Sequence, residues 1–282
     1  MKTAVCCIVK NENDYLKEFV NWYRNLGFDN IILYDNNNTG GEDINSSIGE
    51  YIDNGYVIVN NIKDKQIAQL PAYNDCIKKY GHFYDWIAFF DIDEHLHLTK
   101  HNNIESFLST FDSDVDSVLV NWMVMDDNDL VYNDRRPLEE RFTRIAKNEH
   151  IHYNHISENQ HIKTILKCTD RNVARARFPN PHFVTGINKT TNANNQITQK
   201  NTFAINGIFL ENAYLKHFST KTITEWCYNK MVKGSPDISF NIHIKERNTI
   251  NAFFVVNEKT DEKMKIVDKF LEEYGEKLNI KF

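Results

Sequence analysis

The sequence predicts an α/β fold, with a mostly parallel central sheet, helices on both faces and a mixed α+β elaboration after it. Two observations predict this class. Apolar runs and amphipathic segments alternate through the first third of the chain in the order β-α-β-α-β-α-β, which is typical of parallel strands joined by right-handed crossovers. The run at 86–90 is apolar at every position, as expected of a central strand that helices cover on both faces.

Periodicity and turn residues locate the elements of this first part. We predict strands at residues 4–9, 30–34, 56–59 and 86–90. We predict helices at 14–26, from the turn-rich segment near 40 to about 53, and at 66–80. The first helix carries an apolar stripe that includes Leu16, Phe19 and Tyr23, and Gly27 is placed to end it.

Beyond residue 115 the alternation is looser. We predict strands at 117–125, 141–145 and 161–167, and helices at 220–233 and 261–274. We therefore expect the second half to pack on the first as an elaboration.

The composition is that of an ordinary globular protein and excludes several classes. Of the 282 residues, 41% are hydrophobic and 26% are charged, which argues against disorder. The formal net charge of −6 argues against nucleic acid as a partner, because a general binder displays a basic face. The five cysteines include no C-x-x-C pair and are expected to be reduced core residues. Without a secretory signal or an apolar stretch of ~20 residues, we expect a cytoplasmic protein that at most touches the inner face of a membrane.

An acidic junction follows the fourth predicted strand. Asp91, Asp93 and Glu94 come directly after the apolar run. Open α/β sheets bind ligands at the carboxyl ends of their strands, so chemistry is expected here. Two acids at i and i+2 can converge on one hard divalent cation and leave coordination positions for diphosphate oxygens. The alternative is a solvated acidic turn or a helix N-cap.

Several short motifs in a consistent order resemble a known family. They are CIVKNE at 7–12, YLKEF at 15–19, LGFD at 26–29, YDN at 34–36, AYNDC at 72–76, FDIDE at 90–94, ERF at 140–142, KTILK at 163–167 and LKHFSTK at 215–221. Together they resemble the glycosyltransferases of the Rossmann-like GT-A fold, in the family 92 and family-2-like group, over residues 4 to 235.

The resemblance implies a metal-dependent enzyme that transfers a hexose from a nucleotide diphosphate sugar, with a uridine nucleotide as the leading donor. The acceptor would be a glycan or a lipid-linked glycan, and the configuration would be inverted. Residues 1–115 would form the nucleotide-sugar-binding half, and residues 116–282 the acceptor-binding half with the C-terminal helices.

The donor nucleotide is expected beside the end of the first strand, because the first and fourth strands flank the crevice of such a sheet. The residues expected there are Val9, Lys10, Asn11 and Glu12. Asp35, at the end of the second strand, could accept hydrogen bonds from the ribose or the base. Alternatively, Asp35 is a turn acid that caps a following asparagine, and Glu12 is a first-turn acid favoured by the helix dipole.

The metal would be Mn²⁺ or Mg²⁺, which neutralises the charge that grows on the leaving diphosphate. Asp93 is the first-choice ligand. Asp91 would bind the metal through water or hold the sugar and ribose hydroxyls, and Glu94 could orient either acid. By resemblance, His217 completes the metal site or contacts phosphate. Lys221 is a candidate clamp for the diphosphate; the alternatives are a structural histidine and a solvated lysine.

An inverting enzyme also needs a carboxylate base for the acceptor hydroxyl. Asp127 leads because it follows the strand predicted to border the acceptor, and Asp126 is a close rival. Glu225 and Glu158 stay open, and the alternative for the aspartates is an acidic turn. Trp122 could stack on a sugar ring, whereas Trp86 is expected to pack in the core.

Two other functions must be weighed. Asp-x-Asp after an apolar strand also occurs in haloacid-dehalogenase-like phosphatases, although there it lies near the start of the chain. A sugar-binding protein of the same fold without activity is the second alternative. Finally, the histidines at 150, 152, 155 and 161 fit no closed zinc set, and we expect a surface or acceptor-loop role, with His182 as a further site residue.

Overall fold

A computed structural model describes residues 1–147, 151–152, 156–198, 203–232, 249–278 and 280 of the chain. The strands are β1 Thr3–Val9, β2 Asn30–Asp35, β3 Val57–Asn61, β4 Trp86–Phe89, β5 Glu94–Leu98, β6 Ser117–Val124, β7 Ile151–His152, β8 Ile156–Ser157, β9 Ile162–Lys167, β10 Arg177–Asn180, β11 Phe183–Thr185, β12 Thr190–Asn192 and β13 Ala213–His217. The helices are α1 Asn13–Asn25, α2 Asn45–Asp53, α3 Gln69–Tyr80, α4 Ile104–Leu108, α5 Leu138–Arg141, α6 Asp170–Arg175, α7 Ile223–Glu225, α8 Ile250–Val256 and α9 Asp261–Tyr274. A π-helical segment, Trp226–Met231, continues α7.

Within the described residues, nine strands form one sheet in the order β3-β2-β1-β4-β9-β6-β13-β5, with β12 on β6. The four strands from β3 to β4 are parallel, as the sequence predicts. Val9 pairs with Asp35, and Cys6 pairs with Phe89. The carboxyl ends of β1, β2 and β4 therefore meet at one edge of the sheet, where a parallel sheet binds its ligands.

The α/β class is confirmed, but the second half of the sheet is mixed. β9 runs antiparallel between β4 and β6, whereas β13 is parallel to β6 and antiparallel to β5. β5 begins at Glu94, inside the predicted acidic junction, because the turn at 91–94 reverses the chain into a new strand. The strand predicted at 141–145 is wrong: Arg141 ends α5, and Ile145 makes one isolated bridge with Met125.

Both faces of β1 are buried because helices cover both faces of the sheet. Val5, Cys7 and Val9 belong to the core that packs on Leu16 and Phe19 of α1. The intervening residues of β1 belong to a second core, which packs on α3 through Tyr73 and Ile77. This period of two is the geometry of a fully covered strand. A third core joins α7, the π-helical segment, α8 and α9.

The remaining expectations concern cysteines and membranes. The five cysteines are unpaired thiols, and four of them are buried, as expected of reduced core residues. Among the described helices, none has the length and apolar character needed to cross a bilayer. The division at residue 115 stays a prediction.

Candidate active site

A cluster of charged side chains lies at the carboxyl end of β4. The chain turns tightly there, with the amide of Glu94 donating to the carbonyl of Asp91 and the amide of Asp91 donating to the Glu94 carboxylate at 2.9 Å. β5 then pairs with β13 so that Glu94 lies opposite His217. The amide of Phe218 donates to the carbonyl of Asp93. Strand pairing thus brings the predicted His217 to the predicted Asp93.

Asp93 faces one imidazole and two ammonium groups. Its Oδ1 lies 3.9 Å from His217 Nε2, and its Oδ2 lies 3.4 Å from Lys221 Nζ and 3.9 Å from Lys230 Nζ. The Lys221 backbone adopts a φ of +55°, and its ammonium also lies over the ring of Tyr15. The structure therefore brings three predicted residues together and adds Lys230. We call these four side chains the Asp93 cluster: Asp93, His217, Lys221 and Lys230.

His217 is a neutral imidazole. Burial lowers its pKa to about 3, and the nearby lysines act in the same direction against the attraction of Asp93. A neutral imidazole is the form that binds a metal. Within the described residues, no group of three or more His, Cys, Asp or Glu side chains is arranged so that it could hold a metal ion by itself. Asp93 and His217 supply two donors, which suits Mn²⁺ or Mg²⁺, since such ions take their other ligands from water and substrate phosphates.

Asp91 is held by the protein on both carboxylate oxygens. Oδ1 accepts hydrogen bonds from Gln69 Nε2 at 2.8 Å and from the Tyr73 hydroxyl at 3.0 Å. Oδ2 accepts one from Lys163 Nζ at 2.6 Å. Direct metal ligation by Asp91 would have to displace these donors. Its side chain is nevertheless 31% exposed, so it can still face a substrate.

Lys163 is a fully buried lysine that bridges two acids. Its ammonium lies 2.6 Å from Asp91 and 3.6 Å from Glu94, which is itself fully buried. Burial alone would lower the pKa of Lys163, but the two carboxylates outweigh it and raise the pKa above its ordinary value. Burial also raises the pKa of Glu94 well above its usual range, despite the attraction of Lys163. The contact with Asp91 therefore favours the charged form of Lys163.

The predicted nucleotide side lies where β1 ends. Asn11 adopts a φ of +51°, and its amide donates to the Asn37 side chain at 2.7 Å. Asp35 is buried; it accepts the amide of Asn37 and lies 3.5 Å from Lys63. These contacts match the turn-acid alternative for Asp35. The Glu12 carbonyl accepts the first amides of α1, and its side chain makes no capping bond.

The two predicted bases are held in ion pairs. Asp127 is fully buried and lies 2.5 Å from the ammonium of Lys263, which is fully buried in α9. Asp126 lies 2.5 Å from Arg144. Each also accepts the amide of the residue two positions later. These contacts are those of the acidic-turn alternative and do not favour a general base at either position.

Glu225 is likewise enclosed. Arg141 Nη1 donates to it at 2.9 Å, and the hydroxyls of Tyr15 and Thr222 donate as well. Burial would raise the pKa of this carboxyl, but Arg141 and the hydrogen bonds hold it below its ordinary value. The geometry makes Glu225 a structural acid. Glu158 is also buried, in a short helical turn before β9.

Trp86 lies in the core, as the sequence predicts, and Trp122 is buried in the same core beside His217. The stacking role of Trp122 stays a prediction. The indole of Trp122 is 4.0 Å from the His217 ring, and the rings of His161 and His182 lie 5.0 and 5.1 Å from it. His150, His155 and the side chain of His152 fall outside the described residues. His161 is buried, so the surface role expected for it is wrong, and the acceptor-loop role stays a prediction.

Sequence reasoning did not assign a role to Lys163, Lys230, Gln69 or Tyr73. Lys163 leaves a signal, since a lysine inside an otherwise apolar strand must find a buried anion. Lys230 and Gln69 have no such signal in the sequence, because both are ordinary polar positions of predicted helices.

Comparison with known proteins bears on the whole chain. The family model for glycosyltransferase family 92 matches residues 2–282. A family 92 protein of Ricinus communis is 29% identical over 102 residues, which cover 36% of this chain and 18% of that protein. The galactan β-1,4-galactosyltransferase GALS1 of Arabidopsis thaliana is 36% identical over 63 residues, which cover 20% of this chain and 13% of that protein. The matched segments thus span less than a fifth of these plant relatives.

Among solved structures, S. aureus TarS aligns over 98% of this chain and 72% of its own residues 1–349, at 11% identity and a TM-score of 0.46. This similarity is too low to add to the description of the fold. The match to the family model does not depend on this structural similarity. That match confirms the resemblance carried by the short motifs. The chain therefore belongs to glycosyltransferase family 92, a family of transferases.

Proposed function

We propose that this protein transfers a hexose from a nucleotide diphosphate sugar to a glycan or lipid-linked glycan. The observation that carries the proposal is the Asp93 cluster, at the edge of the sheet where parallel strands end. A carboxylate and a neutral imidazole beside two ammonium groups suit a diphosphate and its divalent cation. Membership of family 92 supports the same reaction.

In this proposal, Asp93 and His217 would hold Mn²⁺ or Mg²⁺. Such an ion would supply positive charge for the departing diphosphate. The ammonium groups of Lys221 and Lys230, which now face Asp93 Oδ2, are placed to donate to phosphate oxygens.

Asp91 takes the role of a hydroxyl acceptor rather than a direct metal ligand. Lys163, Gln69 and Tyr73 hold its carboxylate in one orientation, and its side chain stays partly exposed. Carboxylates fixed in this way discriminate well among hydroxyl groups. The nucleotide lies against Val9, Lys10, Asn11 and Glu12, with Asp35 shaping the loop through Asn37.

The first donor to test is a UDP-sugar, and inversion is proposed from the family resemblance. Inversion requires a base for the acceptor hydroxyl. Asp126 and Asp127 are held in ion pairs, which favours another group as the general base. Because a galactan β-1,4-galactosyltransferase is among the relatives, UDP-galactose and a β-galactan oligosaccharide are the first substrate pair to test.

The deciding experiment is a donor-hydrolysis and transfer screen across UDP-galactose, UDP-glucose, UDP-N-acetylglucosamine and GDP-mannose, with Mn²⁺, Mg²⁺ or a chelator. We expect turnover of one donor to need metal and to fall about 100-fold in Asp93→Asn. Asp114→Asn is the matched control, since that exposed carboxylate pairs only on the surface with Lys189 among the described residues.

Each alternative has its own outcome in this screen. Hydrolysis of p-nitrophenyl phosphate without donor turnover would favour a phosphatase. Donor binding without hydrolysis or transfer would favour an inactive sugar-binding protein. Full activity of Asp93→Asn at saturating Mn²⁺ would remove Asp93 from the mechanism.

A further inference from the structure

Five rings from separate parts of the chain form a continuous cluster beside Asp93. Trp122 of β6 lies at its centre, and His217 of β13 packs on the indole at 4.0 Å between ring centroids. His161 and His182 lie 5.0 and 5.1 Å from the same indole, and Phe203 lies 5.0 Å from His161. We call this the ring cluster: Trp122, His161, His182, Phe203 and His217.

The ring cluster leads from the Asp93 carboxylate towards solvent. His217, at its inner end, lies 3.9 Å from Asp93 Oδ1. Trp122 and His161 are buried in the middle, and His182 and Phe203 are half-buried at the outer end. A group attached to a diphosphate at Asp93 would therefore have these rings as a neighbour.

The ring cluster contains buried polar atoms without a hydrogen-bond partner. Within the described part of the chain, they include the indole nitrogen of Trp122 and Nδ1 of His217. Trp122 is only 5% exposed. Buried indole N–H groups normally find an acceptor. Two other indoles of this protein do so, since Trp22 Nε1 donates to the Leu96 carbonyl and Trp226 Nε1 donates to the Thr249 carbonyl.

We infer that the ring cluster is the wall that recognises the donor hexose, with the Trp122 N–H donating to a sugar hydroxyl. Aromatic rings pack on the apolar face of a hexose, and ring nitrogens hydrogen-bond its hydroxyls. The inference rests on the proposed function, because it assumes that the diphosphate lies at the Asp93 cluster. The inference adds the residues that would make the protein bind a nucleotide sugar more tightly than the nucleotide alone.

The test compares two ligands in one titration series. Calorimetry with Mn²⁺ measures the Kd of UDP and of the UDP-hexose that the parent turns over. Trp122→Phe keeps a ring and removes the N–H, so we expect its UDP affinity to stay within about twofold while its UDP-hexose affinity falls about tenfold. Taking the ratio of the two affinities cancels the diphosphate contacts.

A matched control and a second variant keep the test decisive. Trp22→Phe removes an indole N–H that already has a protein acceptor, and we expect the ratio to be unchanged. Thermal unfolding checks that each variant folds. If Trp122→Phe does not fold, His182→Phe at the half-buried end decides by the same ratio, for which we expect the same selective loss.

Equal losses for UDP and UDP-hexose, or no loss for either, would overturn the inference and leave the rings a structural role. In that case, donor turnover by the parent would leave the proposed function standing. A parent that binds neither ligand would overturn both.

Discussion

At the scale of single residues, the candidate site is defined by cations that the protein holds beside carboxylates. Lys163 is buried against Asp91, whereas Lys221 and Lys230 face Asp93, and the Lys230 side chain is about a quarter exposed, at 26%. Because an ammonium can exchange one acceptor for another at little cost, the lysines at Asp93 can turn to a phosphate. Lys163 is committed to Asp91, so its role is to orient that carboxylate.

Lys230 is the residue of this group that the sequence did not single out. Its ammonium donates to the Ser219 carbonyl at 2.5 Å and lies over the Trp226 ring, which holds it beside Asp93. We expect Lys230→Met to weaken UDP binding about tenfold, because a charge-assisted hydrogen bond to phosphate is lost. Calorimetric titration with Mn²⁺ measures this, and Lys189→Met, which removes a surface ion pair, is the control. Unchanged affinity in Lys230→Met would assign the residue to structure alone.

At the scale of elements, α5 is tied to the sheet by one carboxylate. Glu139 accepts from His95 and His97 of β5 at 3.1 and 2.8 Å and from Lys216 of β13 at 2.6 Å. The amides at the start of α5 donate in turn to Glu18 of α1. The Glu139 side chain thus joins a short helix, which would be unstable by itself, to two antiparallel strands.

This junction gives stability a pH dependence. Burial would raise the pKa of Glu139, but the hydrogen bonds from His95, His97 and Lys216 hold it well below its ordinary value. A carboxyl whose pKa is lower in the folded state adds stability above its unfolded pKa of about 4.3, and this is lost as the pH falls below that value. Urea unfolding between about pH 6 and pH 3 should therefore show a steeper loss in the parent than in Glu139→Gln.

The control for that series is Glu211→Gln, since Glu211 is 76% exposed and pairs loosely with Lys100. It should follow the parent curve. Identical slopes for the parent and Glu139→Gln would mean that this junction does not contribute to acid sensitivity.

At the scale of the whole molecule, a buried ion pair joins the C-terminal helices to the central sheet. Asp127 follows β6, and Lys263 lies in α9, within the third core. Asn257 accepts the amide of Asp127, and the ammonium of Lys263 also donates to the Glu258 carbonyl. Both charges lie out of water, so each depends on the other.

Breaking this pair should therefore destabilise the protein. We expect Asp127→Asn or Lys263→Met to cost about 3 kcal/mol of unfolding free energy, because each removes the nearest counter-ion of a buried charge; Asp129, 3.9 Å from Lys263, is the more distant one. The double variant should recover part of the loss. Chemical denaturation measures all three.

The same variants separate anchoring from catalysis. If Asp127 were the base, Asp127→Asn would keep its stability and donor affinity while transfer fell about 100-fold. If the pair is an anchor, Lys263→Met should reproduce whatever Asp127→Asn does, to similar extents in stability and activity.

The sequence by itself determined the first half of the fold and the position of the acidic junction. Alternating apolar periods predict β1 to β4, because strands and helices repeat over a few residues and need no distant information. The same locality places Asp91 and Asp93 at a strand end. It left Asp35 open between a nucleotide contact and a turn acid, and Asp127 open between a general base and a turn acid, because a short acidic segment can serve either purpose.

Only the tertiary structure decided which side chains meet there. Lys163 and Asp91 are 72 positions apart, and Lys221 and Asp93 are 128 positions apart. Their meeting depends on an antiparallel β9 beside β4 and on β13 beside β5, which local periodicity cannot specify. The strand pairing buries Lys163 against Asp91 and the helix packing buries Asp127 against Lys263. Burial then settles their charges and partners, because an ion removed from water must find its counter-ion within the fold.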